Sequence, residues 1–164
     1  MARDTRSPPR WLVVAATILV LATVLTALRE RHDARAEADL VHWKSVDDAA
    51  RALSANPGLP VLYDFTAAWC HPCAALRADV FGDEQGAALV SQFLAVRITD
   101  VDVQREAAAQ ALEARFLVDS LPTLVITSPR FEKPLVLRGY PGRAATIAFL
   151  AEAARQLEAQ RDAR

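Results

Sequence analysis

The chain contains two cysteines, Cys70 and Cys73, separated by two residues in the stretch VLYDFTAAWCHPC, residues 61–73. A β-rich apolar run precedes them, and an apolar stretch of helical character follows. We therefore expect Cys70 at the start of a helix, where free N–H groups and the helix dipole stabilise an exposed, ionised sulfur. Cys73, one turn further on, is then placed to attack a mixed disulfide formed at Cys70. This arrangement predicts a redox centre.

Three neighbours of the cysteines are expected to influence this chemistry. Pro72 suits the first helical turn, where its missing N–H loses no hydrogen bond. His71, when protonated, adds positive charge beside Cys70, which favours the thiolate and makes the couple more oxidising. Trp69 is expected either beside the active site, flanking a substrate groove, or in ordinary core packing. The sequence leaves both interpretations of Trp69 open.

Two other interpretations of the cysteine pair are weaker. A zinc site needs four ligands, but the chain has no second CxxC pair and only three histidines. A structural staple of this spacing would close too short a loop to stabilise the fold much. The alternative function is a non-enzymatic copper metallochaperone that holds the metal on the two thiolates, although no histidine follows His71. We expect no metal and no cofactor at the site.

The segments around the cysteines predict an α/β domain. In chain order these are a helix capped by Ser45, a strand over 59–65, a helix after the cysteines, a capped helix over 83–94, a strand over 95–99, one helix over 103–116, strands over 121–127 and 134–139, and a helix over 143–160. Strands separated by helices are expected to pair in parallel, and the last two strands to form an antiparallel hairpin. The predicted architecture is a mixed sheet sandwiched by helices.

Over residues 40–160 the chain resembles the thioredoxin superfamily. The motifs that carry the resemblance are Asp64 six residues before Cys70, the sequence WCHPC, Leu121-Pro122-Thr123, and Gly139 after the last strand. The resemblance implies a thioredoxin fold and a disulfide between Cys70 and Cys73. It also implies that Pro122 is cis and faces the disulfide, with Leu121, Pro122, Thr123 and Trp69 around a bound substrate segment.

Within the superfamily, the stretches at 62–81, 93–102 and 112–126 look like the C-terminal periplasmic domain of DsbD-type thiol:disulfide interchange proteins. This resemblance implies reduction of disulfides in periplasmic partner proteins, with electrons supplied by a membrane protein of the DsbD or CcdA kind, as in cytochrome c biogenesis. The chain departs from that domain after the second cysteine, where it has Ala74, Ala75 and Arg77 and the domain usually carries charged or acidic residues.

The resemblance also gives a role to Asp64, an acid in a strand that is predicted to be buried. A buried carboxylate is costly unless it is paired or protonated. In thioredoxins the residue at this place exchanges protons with the second cysteine through nearby water. Asp64 is therefore expected to be the general base that activates Cys73. The alternative is a satisfied acid on an edge strand.

Residues 11–28, WLVVAATILVLATVLTAL, form an uncharged run of 18. At roughly 1.5 Å per residue this run is just long enough to cross a bilayer core of about 30 Å. We predict a single transmembrane helix in contact with lipid, with a cleaved signal peptide as the alternative. Basic residues lie on both sides of the run and give no orientation by themselves. The terminal amine and the redox domain favour a cytoplasmic N-terminus.

The sequence thus predicts five segments: a cytoplasmic tail (1–10), a transmembrane anchor (11–28), a charged linker (29–39), a thioredoxin-like domain (40–160) and a C-terminal tail (161–164). The domain is expected to face the periplasm from the inner membrane. The net charge of −1 argues against nucleic acid as a partner.

Overall fold

A computed structural model of the protein describes residues 10–37 and 39–162. The chain divides into two compact units between Ala34 and Arg35. In chain order the elements are α1 (Arg10–Glu37), α2 (Val46–Ala55), β1 (Val61–Thr66), α3 (His71–Leu76), a π-helical turn (Arg77–Phe81), α4 (Glu84–Val90), β2 (Leu94–Thr99), α5 (Asp100–Arg105), α6 (Ala107–Phe116), β3 (Thr123–Thr127), β4 (Leu135–Arg138) and α7 (Arg143–Asp162).

The described residues of the first unit belong to helix α1, which continues into the second unit at Arg35 and includes most of the predicted linker. Large apolar side chains of α1 are exposed where the structure describes them, for example those of Trp11, Ile18 and Leu19. Among the described residues, no helix combines the length and the apolar character that a membrane span needs. The anchor over 11–28 includes side chains outside the described part of the chain, as do both predicted tails, so these segments stay predictions.

The second unit contains a four-stranded sheet in the order β2-β1-β3-β4. β1 pairs with β2 in parallel, as expected for strands joined through helices. β4 forms the predicted antiparallel hairpin with β3. β3, however, runs antiparallel to β1, so the expectation of parallel pairing was wrong for this strand. The register gives the reason. Thr99, the last residue of β2, and Thr123, the first residue of β3, both lie at the end of the sheet where β1 ends. The crossover, which is the connection from β2 to β3, therefore starts and finishes at the same end of the sheet, and β3 runs opposite to β1.

That crossover holds two helices instead of the single one predicted over 103–116. Thr99 and Asp102 form a capping box that starts α5 at the end of β2. Glu106 then adopts an extended backbone, with φ −117° and ψ 115°, and separates α5 from α6. Helical propensity is high on both sides of Glu106, so the apolar periodicity alone gave no sign of the break.

The helices cover both faces of the sheet, as predicted, and each face has its own apolar core. One core joins the sheet to α3, the π-helical turn, α4 and α7; it includes Leu62, Leu76, Val80, Phe81, Val90, Leu124, Ile126 and Leu150. The other core joins the sheet to α2 and α6; it includes Val46, Ala49, Tyr63, Phe65, Ile98, Ala109, Phe116 and Val125. Burial of these side chains supplies the main driving force for folding.

Close packing holds the segment after α3 against α4. Asp83 caps α4 by accepting hydrogen bonds from the N–H groups of Gln85 and Gly86. A Cβ atom at Gly86 would lie 1.9 Å from the carbonyl oxygen of Val80. Only glycine therefore permits this approach, which fixes the π-helical turn next to the cysteine-bearing helix.

Candidate active site

The turn after β1 brings the two cysteines together at the start of α3. Cys70 is the N-cap residue, and its Sγ atom accepts a hydrogen bond from the N–H of Cys73 at 3.2 Å. The two sulfurs are joined in a disulfide, with a distance of 5.2 Å between the Cα atoms. The structure therefore describes the oxidised form, with one sulfur at a helix N-terminus, where a negative charge is stabilised.

The disulfide is less accessible than the sequence suggested. We expected an exposed sulfur at Cys70, but this residue is 5% exposed and Cys73 is 2% exposed. Ala67 and Leu121 pack against the pair and cover it. In the oxidised form, the loop that carries Leu121 thus packs against the disulfide.

The residues flanking the disulfide are, by contrast, exposed. His71 and Pro72 occupy the first turn of α3 and face solvent. Trp69 is 69% exposed, so it is not a core residue. Its indole N–H donates a hydrogen bond of 2.8 Å to a carboxylate oxygen of Asp100. Trp69, Asp100 and Leu121 line an open groove of about 240 Å³ beside the cysteines.

The loop before β3 lies against the same pair. The Leu121–Pro122 peptide bond is cis, as the resemblance implies. The carbonyl oxygen of Pro122 accepts a hydrogen bond of 2.7 Å from the N–H of Gly139, whose positive φ of 72° suits glycine. The hydroxyl of buried Thr123 donates to the carbonyl of Ser120 at 2.7 Å. These internal bonds hold the loop in place.

Asp64 is buried on β1, with an exposed fraction of 2%. Because β1 lies between β2 and β3, the interpretation of Asp64 as an edge-strand acid was wrong. Its Oδ2 atom accepts a hydrogen bond of 2.8 Å from Nε of Arg97, its register partner on β2. Among the described residues, Oδ1 has no partner. Burial raises the pKa of Asp64 above its ordinary value, while the charge of Arg97 opposes this increase.

The orientation of Asp64 follows from strand alternation. Side chains two residues apart share a face of a strand, so Asp64 lies on the same face as Leu62. Leu62 belongs to the core that includes Leu76 of α3. Asp64 is therefore on the side of the sheet that carries Cys73, as a general base for this cysteine requires.

Sequence reasoning missed three charged residues near Asp64. Arg97 also donates to Asp39, and its guanidinium lies 4.1 Å from the centre of the Trp43 ring. The charge of Arg77 acts on Asp64 as well, although its buried Nε atom has no hydrogen-bond partner among the described residues. Arg97 had a detectable signal, because it is the one charge in the strand LAVRIT, as Asp64 is in VLYDFT.

No metal site accompanies these residues in the described part of the chain, where no three His, Cys, Asp or Glu side chains are grouped to hold an ion. The arrangement can carry out dithiol/disulfide exchange with the cysteines themselves as the electron carriers. A buried carboxylate on the same side of the sheet can exchange protons with them.

Several solved structures share the fold. A thioredoxin from Thermus thermophilus is 23% identical, with a TM-score of 0.56, and the match covers 70% of this chain and 88% of that one. The DsbH oxidoreductase is 20% identical with a TM-score of 0.55, and the match covers 74% of this chain and 87% of that one. The oxidised C-terminal domain of DsbD from Neisseria meningitidis is 21% identical with a TM-score of 0.51, and the match covers 64% of this chain and 90% of that one. At these identities the likeness shows the fold, and it includes the DsbD domain predicted from the sequence.

The comparison with curated protein sequences found no match. The thioredoxin-like family model matches residues 42–129, which is more than half of the 164 residues. This segment contains Asp64, both cysteines and the cis-proline loop. The chain therefore belongs to the thioredoxin-like family.

Proposed function

We propose that the protein is a thiol:disulfide oxidoreductase that reduces disulfides in partner proteins. The observation that carries this proposal is the Cys70–Cys73 disulfide at the N-terminus of α3, with the Cys70 sulfur accepting the N–H of Cys73. A sulfur in that position is stabilised as a thiolate, which is the attacking species in disulfide exchange.

The reaction begins with the reduced pair. The Cys70 thiolate attacks one sulfur of a partner disulfide, a Cys70–partner disulfide forms, and the partner's other sulfur leaves as a thiolate. Cys73 then loses its proton and attacks the Cys70 sulfur. The second partner sulfur leaves, both partner thiolates take up protons, and the Cys70–Cys73 disulfide forms. Two electrons have passed to the partner, and a dithiol donor must return two to the pair.

Asp64 takes the proton of Cys73 in this scheme. Its burial favours the protonated form, which makes the ionised carboxylate a stronger base than a solvated aspartate. A carboxylate with a free lone pair on Oδ1 has room to accept that proton, directly or through one water molecule.

The partner segment binds beside the disulfide in the proposed complex. Trp69 offers an exposed aromatic surface, and Leu121, Pro122 and Thr123 form the loop on the other side. The backbone of this loop pairs with an extended partner segment in the manner of an added strand. The segment's disulfide is then held against Cys70.

Reduction of insulin by the full-length chain, with dithiothreitol as donor, tests the proposal. We expect activity in the wild type and, in Cys70→Ser, no rate above that of dithiothreitol alone. Cys73→Ser, reduced and then freed of dithiothreitol, should accumulate a mixed disulfide with insulin. Activity should be unaffected by a copper chelator, which separates the proposal from the metallochaperone alternative. An active Cys70→Ser variant would contradict the assignment of the nucleophile.

The role of Asp64 requires a separate experiment. In Asp64→Asn the release of a preformed mixed disulfide should slow by about 100-fold or more, the usual contribution of a general base. Attack by Cys70 should change much less. If release keeps its rate and its pH profile, Asp64 is not the base.

We propose further that residues 11–28 anchor the protein in the inner membrane, with the redox domain in the periplasm. The uncharged run of 18 residues supports this proposal, together with the exposed apolar side chains of α1. Periplasmic disulfide proteins would then be the substrates, and a membrane protein of the DsbD or CcdA kind the electron donor.

Expression in a bacterium with two membranes tests the location and the partners together. The chain should fractionate with the inner membrane, and protease added to spheroplasts should digest its C-terminal domain. Cys73→Ser should trap periplasmic proteins through Cys70, and mass spectrometry identifies them. Recovery of the whole chain in the soluble fraction would contradict anchoring.

A further inference from the structure

Asp39 lies outside the predicted redox domain in sequence but touches its buried charges. It was assigned to the linker, yet its Oδ2 atom accepts hydrogen bonds from Nη1 of Arg97 and, at 2.8 Å, from the indole N–H of Trp43. The Asp39 side chain is 16% exposed and that of Arg97 is 19% exposed. One guanidinium therefore bridges two carboxylates, Asp39 near the surface and Asp64 in the core.

Arg97 is fixed in this bridging position. Its Nε atom points to Asp64 and its Nη1 atom to Asp39, so the two carboxylates use different edges of the guanidinium. The guanidinium also lies over the ring of Trp43 and within 5.6 Å of the centre of the Phe81 ring. Arg97 thus forms ion pairs with both carboxylates at once, so its positive charge is shared between Asp64 and Asp39.

We propose that Asp39 is a positioning residue that acts through Arg97, offsetting its charge so that Asp64 stays a strong enough base to deprotonate Cys73. The inference rests on the proposed function, because the base strength of Asp64 matters only if Asp64 deprotonates Cys73. It assigns part of the control of the redox site to the segment that joins α1 to the domain.

Three charged groups from three different segments act on Asp64. Burial raises the pKa of Asp64 most, the charge of Arg97 on β2 lowers it, the charge of Asp39 raises it, and the charge of Arg77 in the π-helical turn lowers it. Without Asp39, two arginines would act on the carboxylate with no opposing charge. Asp64 would then ionise more easily and would be a weaker base.

The ionisation of Asp64 can be measured directly in the full-length chain. Carboxyl ¹³C signals of labelled aspartates are followed against pH with Cys70 and Cys73 oxidised, so that neither thiol titrates. Loss of one signal in Asp64→Asn assigns it. Asp39→Asn keeps an acceptor for Arg97 and Trp43 but removes the charge. Glu152→Gln, on the exposed face of α7, removes one charge elsewhere.

In Asp39→Asn the titration midpoint of Asp64 should move to lower pH, while Asp39→Glu should stay near the wild type and Glu152→Gln should leave the midpoint unchanged. The rate at which Cys73 releases the mixed disulfide is measured against pH in the same variants. In Asp39→Asn the rise of this rate at acidic pH should also move to lower pH, and the plateau of the rate should fall about two- to fivefold. A midpoint that is unchanged or higher in Asp39→Asn would overturn the inference.

The two proposals are separable in this design. If the titration midpoint moves but the release rate keeps its pH profile, the base role of Asp64 in the proposed function is contradicted, while the action of Asp39 on Asp64 is supported. If insulin reduction is absent altogether, the carboxyl titration still decides whether Asp39 controls Asp64.

Discussion

All six residues of β1 are buried, but its two faces are built differently. Tyr63 and Phe65 lie on the face that α2 and α6 cover, in a core whose strand positions are apolar or aromatic. Leu62 and Asp64 lie on the face of the cysteine-bearing helix, and there Asp64 meets Arg97. Alternation along one strand thus separates packing from proton chemistry. Both faces bury an apolar core that stabilises the fold, but the second also holds a buried carboxyl whose ionised form is disfavoured by burial.

The largest effect should follow from damage to the apolar face. Phe65 is 1% exposed, and its ring packs edge-on against that of Phe116. Phe65→Ala should lower the free energy of unfolding by about 3–5 kcal/mol, because it loses burial and leaves a cavity. Urea titration of the oxidised chain measures this change.

Val136→Ala is the matched control, since Val136 lies on strand β4 and is 37% exposed. It should cost far less than Phe65→Ala. If the two substitutions lower the free energy of unfolding by similar amounts, the buried face of β1 contributes no more to stability than an exposed position of the sheet, which would contradict the comparison.

A smaller effect of opposite sign is expected on the other face. Burial raises the folded-state pKa of Asp64 above its ordinary value of 3.8. The stability that this protonated group contributes is complete below pH 3.8 and is lost as the pH rises through the raised pKa. Asp64→Asn cannot ionise, so its stability relative to the wild type should increase from acidic to alkaline pH. Urea titrations at several pH values measure the trend.

Glu152→Gln is the control for this trend. Hydrogen bonds from Gln156 and Arg155 lower the pKa of Glu152, so any effect of its removal has the opposite pH dependence. If the advantage of Asp64→Asn shrinks as the pH rises, the ionised carboxylate is not the costly form, and the comparison between the two faces is lost.

The smallest effect should come from His71, which is exposed in the first turn of α3. A protonated His71 would stabilise the Cys70 thiolate, so its removal should destabilise the reduced form. His71→Gly should therefore be more reducing by tens of millivolts, where about 30 mV corresponds to roughly 1.4 kcal/mol. His71→Gln separates the loss of charge from the effect of glycine on the helix. A redox titration in which both variants are equal to or more oxidising than the wild type would contradict this role.

The sequence predicted well those features that depend on local patterns. The sheet with helices on both faces, the cap at Ser45 and the position of the cysteines at a helix start follow from periodicity and from capping residues. The cis Pro122 was predicted through the family resemblance. Each of these is encoded within a short stretch of chain.

The features that were missed depend on residues distant in sequence. The hydrogen bond between Arg97 and Asp39 spans 58 positions, and the direction of β3 depends on where a two-helix crossover returns to the sheet. The burial of Cys70 depends on Leu121, which arrives from a different loop. Two opposite charges in neighbouring buried strands were the one available sign of the pair between Asp64 and Arg97.

The acidity of Cys70 tests the central claim most directly. In Cys73→Ser, the rate of alkylation of Cys70 in the full-length chain is measured across a pH series. If the helix N-terminus stabilises its thiolate, the rate should reach half its maximum well below the value of about 8.5 for a free cysteine. A midpoint at about 8.5 or above would contradict the account, because the sulfur would not be activated for exchange.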